Sequence, residues 1–458
     1  MEGLEISEIK MSFLKKENRT FRIDSNFFIK KSLSVDNKIK SMNHFYISEE
    51  NIVSGPFGSS LKSDAYLNAG VPFIRIENIK NGFSISTDNL IYISEFDNSR
   101  LKSSQLFEDD LILSKVGNTI GYYARVDSNI KNCNISENNI GIKLNSYNRD
   151  VKHYIMTFLN SKYGNILTLR RISGNAQPKL NVFDISEIPI PQFNEEFYKK
   201  ISDKIIKADE LKQHSKSLYS QAEDLLLGEL GLKDWRPKNT LHTTKKFSDF
   251  AQSGRLDAEY YQPKYDEIEK AIKSYKGGYD IVSNLFNQNL DVCDYKKTEY
   301  NYVEIGDVNV GDGSVSFNKV ETSELPDNAK RVLHKNDILI SKVRPYRGAV
   351  AIIDFEQEDL IGSGAFTVLQ QKSSYMKETL QILFRTAVYK DWLLKWNVGS
   401  SYPVIKDEDI LNLPIPILPE AIQTKIASLI QQSFECKAQS KQLLEDAKRM
   451  VEAEIEKN

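Results

Sequence analysis

Apolar and polar residues alternate along several short stretches of the chain and recur at helical spacing along others. The alternating, β-branched runs Val71–Ile79, Leu111–Val116, Tyr302–Val308 and Ile338–Val343 predict strands. Val151–Leu169 and Met376–Trp396 predict helices. The interleaving predicts mixed α and β globular units. Two longer runs, after Pro191 and after Pro419, are poor in glycine and proline and rich in Lys, Glu, Gln and Leu. Their apolar and small positions fall at Ile201, Ile205, Ala208, Leu211, Ser215, Leu218, Ala222 and Leu225. The second run has Ile426, Ile430, Ser433, Cys436, Ser440, Leu443, Ala447 and Met450. Both follow a heptad seam with one residue missing after the third position. Each run predicts a helix of roughly 30 residues, spanning about 45 Å.

The same patterns occur twice, about 225 residues apart. D-L-I-L-S-K-V at Asp110–Val116 returns as D-I-L-I-S-K-V at Asp337–Val343, and D-I-S-E-I-P-I-P at Asp184–Pro191 as D-I-L-N-L-P-I-P at Asp409–Pro416. G-N-A-Q-P from Gly174 precedes the first proline step and G-S-S-Y-P from Gly399 the second. F-R-I-D-S-N-F-F, ending at Phe28, matches G-R-L-D-A-E-Y-Y, ending at Tyr261. The order is kept, and the helical seams share one pattern. A lone amphipathic helix usually packs on a core, but two with one seam invite pairing. Ile201, Ile205, Leu218 and Ala222 would meet Ile426, Ile430, Leu443 and Ala447. The expected architecture is α+β: two similar mixed α/β domains, each followed by a long helix, the helices pairing as an antiparallel coiled coil about a pseudo-twofold. The expected bounds are 1–193 and 233–419 for the domains and 194–232 and 420–458 for the helices.

Composition narrows the class. With 458 residues, 40% apolar and 27% charged, the chain is an ordinary core-forming protein. No run of apolar residues is long enough for a membrane span, and the N-terminus lacks a secretory pattern, so a cytoplasmic protein is expected. Cys133, Cys293 and Cys436 stand far apart, and the five histidines make no ligand-spaced pair, which argues against a metal or a disulfide framework. A net charge of −2 argues against a uniformly basic coat but leaves room for local basic loops.

Motifs of catalysis are missing from the sequence. There is no N-P-P-Y type methyltransferase motif with a Gly-rich cofactor loop and no G-x-x-x-x-G-K-[ST] phosphate cradle. What remains suits recognition. S-K-V-R-P-Y-R-G sets Lys342, Arg344, Tyr346 and Arg347 on a turn directly after a strand, where arginine can fork onto guanine and lysine can neutralise phosphate. The first copy keeps Lys115 but carries Asn118 and Thr119 in place of the arginines. Asparagine suits the edge of adenine. G-P-F-G-S-S-L-K adds Ser59, Ser60 and Lys62, and R-R-I-S-G-N-A-Q-P-K adds Arg170, Arg171, Asn175, Gln177 and Lys179. Ser400, Ser401 and Tyr402 fill the corresponding stretch of the second copy. All of these also read as ordinary turn chemistry.

At these residues the chain resembles the specificity (S) subunits of type I restriction-modification systems. The similar features are P-F-G-S-S-L-K, the D-x-[IL]-[LI]-S-K-V strand, the G-x-x-x-P segment and the proline step into a long helix. The Glu-Gln pair that usually opens that helix is missing from the first copy and only approximated in the second. The resemblance implies two target-recognition domains, each reading half of a split, asymmetric site in double-stranded DNA, with the paired helices as ruler and docking surface. It implies two methyltransferase subunits and restriction subunits as partners. S-adenosylmethionine, ATP and Mg would bind those partners, so no cofactor and no catalysis are expected here. A self-contained restriction or methylation enzyme and a protein-binding coiled-coil scaffold remain as rival readings.

Overall fold

The computed structural model describes residues 7–12, 14, 22–56, 58–79, 83–87, 89–174, 177–238, 240, 242–399 and 402–458. Its contacts divide it into two units, Met1–Leu211 with Ala438–Asn458, and Lys212–Lys437. Each unit holds one globular head and a segment of each long helix. The helices run Glu195–Leu230 and Glu420–Lys457, 36 and 38 residues, longer than their apolar seams alone predict. No helix among the described residues is long and apolar enough to cross a membrane.

In the first unit one sheet has the order Ile52–Ser54, Asn139–Ile142, Leu111–Ser114, Tyr123–Arg125, Phe83–Ser84. A second has the order Ile91–Ile93, Val71–Ile74, Asn132–Ile135, Leu106–Phe107, with Val71–Ile74 parallel to Asn132–Ile135. The second unit repeats this plan. Phe286–Gln288, Phe366–Gln371, Ile338–Ser341 and Val350–Ile352 form one sheet. Asn318–Glu321, Glu299–Val303, Leu360–Ser363 and Ala329–Val332 form the other, again with one parallel pair. Leu111–Ser114 and Ile338–Ser341 are buried throughout, which is why each reads as an unbroken apolar run. The proline steps lie where a missing N–H does least harm, in two-stranded ribbons pairing Ile190–Pro191 with His44–Phe45 and Pro414–Pro416 with Tyr279–Ile281.

Two predictions change in the same way in both copies. The strands beginning at Val71 and Glu299 stop at Ile74 and Val303, each followed by a 3-10 turn. There Asn78 accepts from the N–H of Arg75 (3.0 Å) and Asp307 from that of Glu304 (2.8 Å). Each predicted single helix is two. Arg149–Leu159 and Lys162–Arg170 are separated by Ser161, whose hydroxyl accepts from Gly164 N–H. Lys377–Arg385 and Ala387–Trp392 are separated by Thr386, whose hydroxyl accepts from Tyr389 N–H. A hydroxyl N-cap restarts the helix at the same place in each copy.

Within each unit the two long-helix segments run antiparallel. In the first, Ser440 Oγ donates to Ala208 O (2.7 Å); in the second, Ser433 Oγ donates to Ser215 O (2.8 Å). Seven residues forward on one helix correspond to seven back on the other, as a heptad seam requires. Ile201, Ile205 and Ala447 share one apolar cluster with the first head, and Ala222, Ile426 and Ile430 share another with the second. Leu218 is buried as well. The seam departs from expectation near the helix ends. Leu226 is buried where Leu225 was expected, and Val451 and Ile455 follow Ala447 where Met450 was expected; Leu443 is only half-buried. Steps of four keep these residues on the face that also packs against the head's core.

Candidate nucleic-acid interface

The residues that the two copies share are mostly scaffold. Asp110 is buried and accepts from the N–H groups of Phe107 (2.9 Å) and Leu144 (2.8 Å). Burial pushes its carboxyl above the ordinary range. Asp337 likewise accepts from His334 N–H (2.9 Å) and from the amides of Asn289 (2.9 Å) and Gln370 (3.0 Å). Asp184 and Asp409 accept from the N–H of Asn181 and Lys406 (2.8 Å each) and start the short helices that lead to the proline steps. Arg22 forks onto Asp24 and donates to Arg171 O (3.1 Å) and Ile172 O (2.8 Å). Arg255 forks onto Asp257 and donates to Trp396 O (3.2 Å) and Asn397 O (2.7 Å). Both arginines tie off carbonyls at a helix end, where the peptide dipole favours a cation.

At one end of each sheet, this scaffold holds a hairpin against the exit of the buried strand. Ser173 and Lys179 exchange two backbone bonds of 2.9 Å, and Val398 and Val404 exchange two of 3.0 Å. Gly174 (φ +91°) and Gly399 (φ +94°) close these turns. A Cβ there would meet Gln177 O at 2.7 Å and Tyr402 O at 3.0 Å, so both position and conformation call for glycine. Leu180 N–H donates to Lys115 O and Ile405 N–H to Lys342 O, 3.0 Å each. Val116 bridges Lys179, and Val343 bridges Val404. Each hairpin is thereby fixed to the strand exit beside it.

The side chains at these tips differ. In the first unit the hairpin lies beside the turn with half-buried Lys115, exposed Asn118 and half-buried Thr119, and itself exposes Gln177 and Lys179. Lys115 Nζ reaches Ser54 Oγ (3.5 Å), and its N–H donates to Asn138 O (2.9 Å). Exposed Ser59, Ser60 and Lys62 belong to the same end: Gly58 N–H donates to Glu137, next to Asn138 (2.6 Å). In the second unit, Lys342 pairs with Asp407 (3.1 Å). Arg344 adopts a left-handed conformation (φ +49°), its N–H donates to Pro403 O (2.7 Å), and its guanidinium lies 4.4 Å over the Tyr402 ring. Tyr346 and Arg347 are exposed on the adjoining turn.

Residues 280–449 match the family model described as Type I restriction modification DNA specificity domain. This stretch is similar to the specificity domains that the model describes. It contains the second unit's strand, turn and hairpin and most of the second long helix. No curated protein matches the chain by sequence. Among solved structures, the chain is similar to the S subunit of a type I restriction-modification system from M. genitalium (12% identity, 91% of this chain and 96% of that one, TM-score 0.40). It is also similar to a structure described as the basis of complex assembly and conformational transition of the type I R-M system (14%, 91% and 96%, TM-score 0.28). A third is the HsdS subunit from Thermoanaerobacter tengcongensis (12%, 91% and 94%, TM-score 0.27).

Not every sequence candidate reaches the tip. Arg170 and Arg171, expected to face DNA, are buried. Arg170 pairs with buried Asp36 (2.9 Å) and lies 4.3 Å over the Phe27 ring; Arg171 pairs with Glu187. Their charges are satisfied internally, which leaves them no face for a base or a phosphate. Asn175, Ser400 and Ser401 lie outside the described residues. Two exposed hairpin residues of the second unit, Val398 and Val404, escaped sequence reasoning because valine in an alternating run reads as core. Aligning the two copies would have exposed them, opposite Ser173 and Lys179.

The first unit also holds a buried charged cluster. Arg125 pairs with Asp109 (2.7 Å) and with Asp209 on the long helix, while His153 lies 3.3 Å from Asp109 and 2.9 Å from Ser202 Oγ. Burial, helped by Arg125, holds His153 below the usual histidine range. Burial raises the Asp109 carboxyl, but His153 and Arg125 outweigh it and the net shift is downward. Ile352 and Asn336 occupy the matching strand positions of the second unit. There the helices are tied to the head by Arg385 with Tyr219 and by Lys437 with Asp312. Among the described residues, no group of three or more His, Cys, Asp or Glu could hold a metal ion.

Proposed function

We propose that the whole chain is the specificity subunit of a type I restriction-modification assembly, and that each unit reads one half of a split, asymmetric duplex site. The observation that carries this reading is the repeated tip. The same strand order, apart from the extra edge strand Phe83–Ser84, and one glycine-closed hairpin occur in both units, with different side chains at the exposed positions. A scaffold kept while its tip changes suits two recognitions of different sequence. In this reading bond-making and bond-breaking belong to partners, two methyltransferase subunits and the restriction subunits, which bind S-adenosylmethionine, ATP and Mg. The chain works in the cytoplasm, and its paired helices set the spacer between the half-sites.

Sequencing the methylated bases of cells with and without the gene tests this directly. The expected result is one bipartite motif that disappears with the gene. A chain whose removal leaves every methylated motif in place is not a specificity subunit. Inserting four residues, about one helical turn, into each long helix should lengthen the preferred spacer; an unchanged spacer rejects the ruler.

A further inference from the structure

We propose that the second unit recognises thymine through its C5-methyl group. The inference rests on the DNA-reading role above and adds the chemistry of one half-site. Val398 is 62% exposed, Tyr402 66%, Val404 40% and Tyr346 39%. All four lie on the hairpin or on the turn beside it, and none belongs to an apolar core cluster. Val398 and Val404 lie opposite each other on the hairpin and Tyr402 stands two residues along on the same face, and exposed apolar residues gathered in this way mark a binding site more often than a folding need.

The fold does not demand this apolarity. At the corresponding positions the first unit has Ser173, Gln177, Lys179 and Thr119, yet it forms the same hairpin with the same pair of backbone bonds. Nor is the surface loose: Val398 and Val404 hold each other, Val404 bridges Val343, and Ile405 is tied to Lys342. The apolar side chains are therefore presented outward on a fixed platform.

The surroundings select the ligand. Arg347 and Lys406 are exposed nearby, and the Arg344 guanidinium lies over Tyr402, so the apolar patch sits among cations. A polyanion that also offers an apolar group fits both features. In the major groove of duplex DNA the edges of the bases are polar except for the methyl group of thymine. Valine and the flank of a tyrosine ring suit that group, and the neighbouring cations suit phosphate or guanine.

The test uses the full chain with its methyltransferase partner. A random duplex pool is first selected for binding, and each thymine of the winning site is then replaced by uracil. That change removes one methyl group and leaves every hydrogen-bonding edge intact. At one or more thymines of a single half-site, uracil should weaken binding about fourfold, the transfer value of one methyl group. The triple variant V398S/Y402Q/V404K, which takes the first unit's residues, should lose that penalty and keep its thermal midpoint. A complex that binds a defined site but ignores uracil in both halves overturns the thymine inference alone. A complex that selects no duplex at all overturns the DNA-reading role with it.

Discussion

The two units can be compared position by position, and they agree where they are buried and part where they are exposed. Asp110 and Asp337, Asp184 and Asp409, Gly174 and Gly399, and Arg22 and Arg255 each do one structural task twice. Thr119, Gln177 and Lys179 in one tip correspond to Tyr346, Tyr402 and Val404 in the other in the internal alignment. Between these extremes lies a third class, the polar ties from head to helix. Arg125 with Asp209 serves the first unit, and Arg385 with Tyr219 serves the second, from unrelated positions. The need to anchor the helix is common to both; the residues that meet it are not. Duplication thus separates what the fold requires from what it only tolerates.

The comparison can be broken most sharply at Arg170. Arg170→Ala strips buried Asp36 of its buried partner and leaves it only the half-buried Lys40 (3.0 Å), which should cost up to about 3–5 kcal/mol. Denaturant unfolding should register that loss in the first unit and none in the second. The paired seam should respond next, and in both units alike. Ile201→Ala and Ile426→Ala occupy the same slot of the two helices, and each should cost about 2–5 kcal/mol. A large loss at only one of them would deny that the two packings are equivalent. At the tips, Arg347→Ala should cost about 1–3 kcal/mol of binding and relax one position in one half-site, whereas Lys115→Ala should weaken all duplexes alike and lower the salt slope by about 1. Titration against ionic strength separates the two.

Acid should distinguish the units more gently. His153 is held below its unfolded value, so the unfolded chain binds the extra proton more readily and stability falls as pH drops below about 6.5. It is the only buried histidine of the five. The thermal midpoint of the first unit should therefore fall between pH 7 and pH 5.5 while that of the second holds. His153→Gln should remove the difference.

Much of this architecture is legible in the sequence. The continuous apolar runs at Leu111 and Ile338 named the central strands, since a strand covered on both faces has no polar face to show. The heptad spacing named the helix seam, because the period belongs to the chain itself. The candidate tip was half legible. Lys115, Asn118, Arg344 and Arg347 follow a strand at once, and turns at strand ends are local. Arg170 and Arg171 misled because a cation's burial depends on Asp36 and Glu187, which only folding brings near. Val398 and Val404 misled for the opposite reason: whether an alternating valine faces inward depends on which side the hairpin offers to the sheet.

Sequence alone determined the duplication, the order of strands and helices, and the periodicity of the long helices. Each of these is a relation between residues near one another, or a repeat of one. Tertiary structure decided which charges meet inside, where the hairpin lies, and which apolar residues remain outside. Those outcomes turn on contacts between distant segments, where a few ångströms settle whether a side chain is satisfied by the protein or left for a partner.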